Sequence, residues 1–458
     1  MIKVACIIGA GSSGMTAVKA FRDRGIDFDC FEKGSDIGGN WRFENDNGVS
    51  SAYRTLHIIS SKWNMQYADF PMPEDFPDYG HHSDVLRYFE AYVEHFHLRP
   101  HITFRTAVED VSPVEEGVWE VTLSTGERRR YRNVIVASGH HWDPRWPDFP
   151  GEFHGTVLHS HDYKHPEPFA GKRVLVVGIG NSACDIAIDL CRLSQCVYVS
   201  TRRSAHVVPK YLLGIPTDQW TRPFFELALP VAVRRLMFRL LTFLTVGNQE
   251  RYGLPRPKHK LLQEHPTVNQ EFLSYVGHGR VKIKPNIREL QGDQVLFEDG
   301  SRLPFDVIIY ATGYNITFPF LKHNVFEVKD NRVDLYRRVV PPDRPGLYFL
   351  GLIQPLGAIM PLAEIQAKWI AGLITGEIAL PSPARMWRWI ERDWRRLSRR
   401  YVRSPRHTIQ VDFWDYYYQI RWEIWWGRQR ARLAKKQPAE GKPTVEANPA
   451  EGGVTGSA

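Results

Sequence analysis

Two strand–turn–helix segments with glycine-rich turns constrain the fold of this chain more than any other feature of its sequence. The first has a short apolar strand over residues 4–8, a GxGxxG turn and a helical stretch. Such a turn lets the backbone approach a pyrophosphate, and the helix N-terminus then faces the phosphates. The next strand ends in an acid, which can accept a hydrogen bond from a ribose hydroxyl. The predicted dinucleotide-binding residues here are Gly9, Ala10, Gly11, Ser12, Ser13, Gly14 and Glu32.

The second segment begins near residue 172 and differs from the first where its next strand ends. Thr201, Arg202 and Arg203 stand there in place of an acid. A carboxylate would repel a ribose 2′-phosphate, whereas an arginine can bind it through charge-assisted hydrogen bonds. We therefore predict that at least one of the two arginines binds NADPH, the alternative being that both lie on a solvated edge. The predicted contacts in the turn itself are Gly178, Gly180, Asn181, Ser182 and Ala183.

Later segments fit one shared flavin domain. Strands over residues 133–139 and 306–314 run into small-residue turns, and each returns the chain from one nucleotide fold toward the other. In the second turn Thr312 and Gly313 are predicted to approach a cofactor closely. After a further strand, a helix beginning near Pro361 could direct its positive N-terminal end at the polar edge of a flavin ring.

The run IGGNW at residues 37–41 resembles the GGxW run that follows the acidic residue in FAD-binding oxygenases, so Gly39, Asn40 and Trp41 are predicted FAD contacts. The predicted fold class is α/β with two Rossmann-like dinucleotide-binding domains, an FAD domain interrupted by an inserted NADPH domain. The predicted boundaries are 1–165 for the first part of the FAD domain, 166–300 for the NADPH domain with an insert, 301–380 for the second part of the FAD domain, 381–434 for a helical Arg/Trp-rich region and 435–458 for a disordered tail.

Composition and charge argue against several other classes of protein. The chain has no run of about 18 apolar residues, so no transmembrane anchor is expected, and its N-terminus lacks the layout of a signal peptide. Its five cysteines form no CxxC pair, which indicates a reducing, cytoplasmic setting and removes the dithiol of flavin disulfide reductases. The net charge is +8, but the basic excess lies mostly between residues 385 and 436, so nucleic acid is not an expected partner.

The segment between the two nucleotide folds carries the most specific pattern in the chain. Residues 153–163, FHGTVLHSHDY, match FxGxxxHxxxY, the identifying pattern of the flavin-containing monooxygenases (class B flavoprotein monooxygenases). Stretches similar to that family continue in family order over residues 1–380, among them HPTVNQEF at 265–272 and GLIQPLGAIMPLAEIQAKW at 351–369. Tyr163 ends the pattern where a Trp would be typical of Baeyer–Villiger enzymes, which resembles the dimethylaniline N-oxygenase-like branch acting on soft nitrogen and sulfur centres.

The resemblance also implies roles for individual residues. Asp185 would contact NADPH together with the turn before it, and Gln366 would lie near the flavin or the substrate pocket. The residues of the identifying pattern would support cofactor geometry from the linker between domains, and for its histidine the alternative is a satisfied linker side chain. These pattern residues are Phe153, Gly155, His159 and Tyr163.

One position departs from the family. An asparagine usually contacts the cofactor in the segment aligned with residues 55–62, and Ile59 stands there in this chain. An isoleucine cannot hydrogen-bond NADP+ or a flavin peroxide, so we expect a less stable oxygenated flavin and more leakage to H2O2. No residue is assigned a catalytic role. The candidates for positioning the reactants are Ser60, Ser61, Asn64 and Gln366.

The function implied is an NADPH- and O2-dependent oxygenation of soft nitrogen or sulfur centres through a C4a-hydroperoxyflavin, with an amine, sulfide or ketone as the substrate class. The sequence shows no spacing typical of a metal site. Three alternatives stay open: a Baeyer–Villiger monooxygenase on ketones, an NADPH oxidase releasing H2O2, and a nucleotide-sensing protein without a substrate. Oligomeric state is also open, with a homodimer as one candidate.

Two regions lie outside this scheme. The apolar stretch 224–246, cut by Pro230 and by arginines, is interpreted as a core helix or a lid over the substrate, with peripheral membrane contact as the alternative. In the Arg/Trp-rich region, apolar side chains recur at helical spacing, which predicts packing on the FAD domain, with a basic, aromatic membrane-surface helix as the alternative. These side chains are Trp387, Ile390, Trp394 and Leu397.

Overall fold

The structure, a computed structural model, describes residues 2–226, 229–402 and 408–436. Its strands are β1 Ile2–Ile8, β2 Phe28–Phe31, β3 Ile102–Thr103, β4 Val108–Glu115, β5 Val118–Leu123, β6 Arg128–Val136, β7 Asp143–Pro144, β8 Gly151–Phe153, β9 Thr156–His159, β10 Arg173–Val177, β11 Cys196–Ser200, β12 Val207–Val208, β13 Tyr211–Leu212, β14 Ile215–Pro216, β15 Thr267–Val268, β16 Val281–Lys284, β17 Ile287–Gly292, β18 Gln294–Phe297, β19 Arg302–Pro304, β20 Val307–Tyr310, β21 Tyr314–Asn315, β22 Leu347–Phe349, β23 Gln354–Leu356 and β24 Gln410–Asp412. Its α-helices are α1 Gly14–Arg22, α2 Lys62–Met65, α3 His82–His95, α4 Asn181–Leu190, α5 Thr221–Glu226, α6 Val231–Val246, α7 Phe272–Gly277, α8 Met360–Ile374, α9 Pro383–Arg400 and α10 Phe413–Lys436.

Two sheets organise the chain, the first mixed and the second parallel throughout. In the first, the strand order is β3-β2-β1-β6-β5-β4, and β1 lies between β2 and β6, parallel to both. β22 also pairs with β6, along residues 134–136 at the C-terminal end of that strand. The second has the order β16-β11-β10-β20-β9, and all its neighbours are parallel. The strands at both centres read as continuous apolar runs because helices and loops cover both faces of the sheet. The predicted α/β class with two Rossmann-like folds is confirmed.

One strand lies in a different sheet from the one expected. The segment 306–314 was predicted to belong with the flavin domain, yet β20 pairs with β10 on one side and with β9 on the other. A buried run such as VIIY suits the centre of either parallel sheet, so its sequence does not specify which. The predicted boundary at residue 300 therefore falls before the last strand of the second sheet, and the boundary at 165 falls after β9.

The second sheet is a single continuous excursion from the first. The chain leaves through β7 and returns through β21, and these two short strands pair antiparallel, Pro144 with Tyr314 and Asp143 with Asn315. Beside this ribbon the Arg145 N–H donates to the Gly313 carbonyl at 3.0 Å. A second layer of four strands, β19-β18-β17-β8, covers one side of the excursion.

The segment between β11 and β16, called the insert below, contains α6, which exposes much of its apolar surface. In α6, Leu236 is 66% exposed, Phe243 59% and Leu244 64%, while Phe238 is buried against residues of the insert. The interpretation of this stretch as a core helix is therefore wrong for α6. No helix within the described ranges has both the length and the apolar character needed to cross a lipid bilayer.

The C-terminal helices pack on the first sheet's core, as the helical spacing predicted. Ile390 is buried in the cluster that holds β1 and α8, and the Trp387 and Trp394 rings pack against that cluster. A buried ion pair between Arg338 and Asp393 ties α9 to the same body. Lys435 and Lys436 still belong to α10, and the rest of the predicted disordered tail lies outside the described residues.

Candidate functional site

Both glycine turns open into one cavity of about 1600 Å³. Gly9 and Gly11 line it from the first sheet, and Gly178 and Gly180 line it from the second. The carboxyl ends of β1 and β10 thus face a common space, which is where ligands bind in open α/β sheets. The predicted contacts that line this cavity are Gly9, Gly11, Ser12, Ser13, Glu32, Gly39, Asn40, Trp41, Gly178, Gly180, Asn181, Ser182, Ala183, Asp185, Thr201, Arg202, Arg203, Thr312 and Gly313.

The first turn needs glycine for three different reasons. Gly9 has φ +99°, and a Cβ there would lie 2.9 Å from the Ala137 carbonyl oxygen. A Cβ on Gly14 would lie 1.9 Å from the Gly9 carbonyl oxygen, so glycine lets α1 pack tightly on the turn. At Gly11 a Cβ would meet only Gly39 at an ordinary 3.6 Å, but it would project into the cavity. The open space at Gly11, beside the α1 N-terminus, fits a pyrophosphate.

Glu32 is held in a defined orientation at the end of β2. Its carboxylate accepts hydrogen bonds from the Ala10 N–H at 2.7 Å and the Gly34 N–H at 2.8 Å. It also accepts from the Asn47 side-chain amide at 3.3 Å, and the side chain is buried while lining the cavity. A carboxylate has two oxygens with about four acceptor positions, so capacity for a ribose hydroxyl remains. Ala10 and Gly14 support the turn from behind the cavity wall.

The second turn is fixed by the insert as well as by its own sheet. Gly178 has φ +132°, and a Cβ there would lie 2.4 Å from the Ala311 carbonyl oxygen. The Asn181 side-chain oxygen accepts from the Val268 N–H at 2.7 Å, and the Thr267 hydroxyl donates to the Ile179 carbonyl at 2.6 Å. The segment carrying β15 therefore holds the turn in place, a contact that the sequence pattern alone did not indicate.

The two arginines after β11 have different surroundings. Arg202 is exposed at the cavity edge. Arg203 is half-buried and pairs with Glu264 of the insert, with 3.2 Å between guanidinium and carboxylate. Glu264 also lines the cavity, and the sequence analysis missed it because it lies 61 residues beyond Arg203 and no local pattern links the two positions.

Asp185 belongs to a buried network that joins the two folds. Its carboxylate accepts from the Tyr53 hydroxyl and from the Asn269 side-chain amide, both at 2.6 Å. Burial raises the pKa of Asp185, while these two hydrogen bonds and the nearby Lys210 oppose that rise. Burial in turn lowers the pKa of Lys210. Asp185 lines the cavity, but its oxygens bond to the protein, so it joins the second turn to the segment after Tyr53.

The predicted positioning residues separate into different places. Ser60 lines the cavity beside Ile59. Ser61 instead donates its backbone N–H to the Asp218 carboxylate at 2.7 Å, and the Asn64 side chain contacts the same carboxylate. Burial raises the pKa of Asp218. Ser61 and Asn64 therefore join the insert to the first fold and lie away from the cavity wall.

Gln366 lies directly behind the cavity wall. Its side chain is fully buried inside α8 and does not line the cavity. Its oxygen accepts from the Gly351 N–H at 2.9 Å, and its amide donates to the Tyr416 hydroxyl at 2.6 Å. Gly351 itself lines the cavity, so Gln366 connects α10 to the cavity wall from behind. A buried amide must satisfy both its oxygen and its nitrogen, and the two partners here do so.

The residues of the identifying pattern lie behind the cavity. A Cβ on Gly155 would lie 2.5 Å from the Asp306 carbonyl oxygen and 2.6 Å from the Phe153 ring, so the close approach of β9 to β20 requires glycine there. His159 ends β9 fully buried, with its ring beside Tyr314. Tyr163 donates to the Asp189 carboxylate at 2.7 Å on α4. These contacts connect the linker to the second sheet and to the ribbon of β7 and β21.

Three buried histidines lie in or near this linker: His159 and His161 within it, and His140 before it. Burial lowers the pKa of His159 to about 4 and also lowers the pKa values of His140 and His161, which favours the neutral imidazole at all three positions. Within the described ranges, no group of three or more potential ligands is placed to hold a metal ion.

The Thr312 hydroxyl donates to the Arg145 carbonyl at 2.5 Å. This bond joins the segment just before β21 to the segment just after β7.

Comparison with known proteins gives concordant matches. Residues 2–438 match the family model for flavin-binding monooxygenase-like proteins. The chain is 40% identical over 433 residues to flavin-containing monooxygenase 5 of Oryctolagus cuniculus, covering 90% of this chain and 80% of that protein. It is 39% identical over 445 residues to dimethylaniline monooxygenase (N-oxide-forming) 2 of Mus musculus, covering 93% and 83%.

Solved structures of lower sequence identity share the fold. The S-allyl-L-cysteine S-oxygenase of Allium sativum superposes with a TM-score of 0.70 at 24% identity, covering 96% of this chain and 94% of that one. A cyclohexanone monooxygenase bound to epsilon-caprolactone superposes with a TM-score of 0.67 at 19% identity, covering 93% and 99%.

Proposed function

This chain belongs to the flavin-binding monooxygenase-like family, and from that premise we propose that it uses NADPH and O2 to oxygenate soft nitrogen or sulfur centres of small molecules. That it is a flavin monooxygenase follows from the family match over almost the whole chain. The proposal adds the reaction type, the identity of the flavin as FAD and the residues that hold each nucleotide.

One observation carries the proposal: two glycine turns with different polar partners open into a single cavity. Glu32 beside the first turn suits the ribose hydroxyls of FAD, and the exposed Arg202 beside the second suits a 2′-phosphate. A shared cavity supports direct transfer between the two nucleotides. We also propose that the NADPH-binding part of the chain covers residues 151–310, since this span contains the whole second sheet.

The flavin, when bound, supplies the redox chemistry with O2, so the protein's tasks are binding, orientation and exclusion of water. Ser12 and Ser13 just before α1, and residues 181–183 at the start of α4, line the cavity, where the two turns can bind the two pyrophosphates. Tyr53 and Asp185 hold the segment leading to Ile59 against the second turn. Ile58 and Ile59 give that part of the wall an apolar surface, which suits an uncharged substrate centre.

Ile59 also supports a second candidate function, an NADPH oxidase that releases H2O2. The side chain is half-buried and lines the cavity at the position where the family usually has an asparagine. Without a hydrogen-bonding group there, the wall offers less stabilisation to a polar oxygenated intermediate. The same enzyme would then consume NADPH and O2 with a smaller yield of oxygenated product.

Product analysis with matched substrates tests these functions. Purified protein would be supplied with NADPH and 18O2, together with methyl phenyl sulfide, N,N-dimethylaniline or cyclohexanone. We expect 18O-labelled sulfoxide and N-oxide, each formed with NADPH consumption. Labelled lactone from cyclohexanone alone would favour the Baeyer–Villiger alternative. Stoichiometric H2O2 with no labelled product from any of the three would favour the oxidase. Bound flavin that NADPH never reduces would contradict all three.

The setting of the protein remains a prediction. A reducing, cytoplasmic location is supported by the cysteines, since all five are free thiols and four of them are buried. Small-molecule substrates and O2 follow from the family, while a homodimer and peripheral membrane contact stay open proposals.

A further inference from the structure

A segment of the insert lies along the second glycine turn. The Thr267 hydroxyl and the Val268 N–H both bond to that turn, to Ile179 and to the Asn181 side chain. Pairing of β15 with β12 fixes the same segment from its other side. Residues just before β15 are therefore held at the edge of the cavity where the ribose of a bound NADPH would lie.

Glu264 is one of those residues. Its side chain is 11% exposed, and its carboxylate lies 3.2 Å from the Arg203 guanidinium. Arg202 is exposed beside it, and no carboxylate of the described ranges lies within ion-pair distance of Arg202. All three side chains line the cavity. One arginine is thus available to an anion, while the other already has an anionic partner.

We propose that Glu264 determines dinucleotide specificity, by lowering the preference of the second site for a 2′-phosphate over a 2′-hydroxyl. This inference rests on the proposed function, in which the second turn binds NADPH. A 2′-phosphate near Arg203 must share the guanidinium with a carboxylate and meets its repulsion in a partly buried place. A 2′-hydroxyl instead can donate a hydrogen bond to the same carboxylate.

The two arginines therefore have different roles. Arg202 supplies the attraction for a 2′-phosphate, because an exposed guanidinium can rotate to form bidentate hydrogen bonds. Arg203 contributes little while Glu264 neutralises it. Removing the charge of Glu264 would free Arg203, and the site would then present two cations to the phosphate. The expected gain is about tenfold in affinity, the size of one partly screened charge contact.

Binding of nucleotide fragments tests this without any turnover. The probes are 2′,5′-ADP and 5′-AMP, titrated into the purified protein by calorimetry at constant low ionic strength. The test variant is Glu264→Gln, which keeps the shape of the side chain and removes its charge. The matched control is Glu250→Gln, an exposed carboxylate of the same insert that bonds to Asn248. NADP+ and NAD+ would be titrated in parallel.

We expect Glu264→Gln to raise the affinity for 2′,5′-ADP about tenfold and to change the affinity for 5′-AMP by less than about threefold. Glu250→Gln should change neither probe. Arg203→Ala should weaken 2′,5′-ADP less than about threefold in the wild-type background and about tenfold in the Glu264→Gln background. If Glu264→Gln fails to fold, the affinity of Arg203→Ala for 2′,5′-ADP tests the inference alone. A tenfold loss of affinity in that variant would show that Arg203 already binds the phosphate and would contradict the inference.

Other outcomes would overturn the inference. Unchanged or weaker binding of 2′,5′-ADP by folded Glu264→Gln protein would show that Glu264 has no effect on the phosphate or orients Arg203 for it. If the wild-type protein binds neither 2′,5′-ADP nor NADP+, the nucleotide site itself is wrong, and the proposed function fails together with this inference. Binding of both with an unchanged ratio in the variant refutes the inference alone.

Discussion

In the first glycine turn, two alanine substitutions separate the structural role of glycine from its ligand-binding role. Gly14→Ala places a Cβ 1.9 Å from the Gly9 carbonyl oxygen. Gly11→Ala places one 3.6 Å from Gly39 Cα, an ordinary contact, but inside the cavity. We expect the first variant to lose stability even without flavin. The second should keep its stability and lose affinity for flavin.

The magnitudes follow from these distances. A carbon and a backbone oxygen need about 3.2 Å or more, so α1 must move away from β1 by about 1 Å in Gly14→Ala. Overpacking of this kind costs about 1–3 kcal/mol and more when backbone must shift. At about 3 kcal/mol, the melting temperature falls by about 6–12 °C in a domain of this size. In Gly11→Ala the same methyl opposes a pyrophosphate, which weakens FAD by about tenfold to hundredfold.

Two measurements distinguish the variants. Thermal unfolding of flavin-depleted protein, followed by circular dichroism, reports the stability of the fold. Titration of the same protein with FAD, followed by quenching of flavin fluorescence, reports affinity. Gly25→Ala provides a control for strain without contact, because Gly25 has φ +62° and no neighbour within 4 Å of a Cβ. A Gly14→Ala protein that melts within about 2 °C of wild type, or a Gly11→Ala protein with unchanged FAD affinity, would refute the reasoning.

Three further predictions concern other parts of the molecule. Ile59 lies on the cavity wall, and Ile59→Asn should lower the H2O2 released per NADPH about threefold or more by restoring a hydrogen-bonding group. A peroxidase-coupled assay measures this yield, and an unchanged yield would show that Ile59 is not the cause of the leakage. Tyr53→Phe should cost about 1.5–3 kcal/mol at pH 8 by removing a hydrogen bond to ionised Asp185. Because that bond lowers the raised pKa of Asp185, the loss should shrink as pH falls and Asp185 protonates, so urea unfolding with the same deficit at every pH at which the wild-type protein stays folded would contradict it. Asp393→Ala should destabilise by about 3–5 kcal/mol by leaving Arg338 buried without its partner, whereas the double change Arg338→Met with Asp393→Leu should cost less in the same denaturant titration.

Local patterns predicted the nucleotide folds well, because each depends on residues that are close in sequence. The GxGxxG turns, Glu32 and the arginines after β11 all follow strands that were visible as apolar runs. The membership of β20 was predicted in the wrong sheet, since an apolar strand buried on both faces does not reveal its neighbours.

The contacts between the folds were harder to predict. Tyr53 and Asp185 are separated by 132 residues, and Ser61 and Asp218 by 157. No periodicity links such pairs, and their chemistry is visible only once the insert is packed against the first fold. Gln366 shows another limit: the resemblance implied a place near the flavin or the substrate pocket, but only the structure shows that its buried amide bonds to Gly351 and Tyr416 behind the cavity wall.

β7 and β21 pair with each other just outside residues 151–310, so the chain enters and leaves this cassette at neighbouring points. Exchange of this cassette between relatives would require two neighbouring junctions to match, at Asp143–Arg145 and Gly313–Asn315. A chimera would inherit its dinucleotide preference from the donor and its flavin site from the host. Its success would depend on compatible docking pairs, above all Tyr53 with Asp185 and Ser61 with Asp218. Exchange of residues 151–310 would therefore change the dinucleotide reductant and leave the flavin-binding part of the chain unaltered.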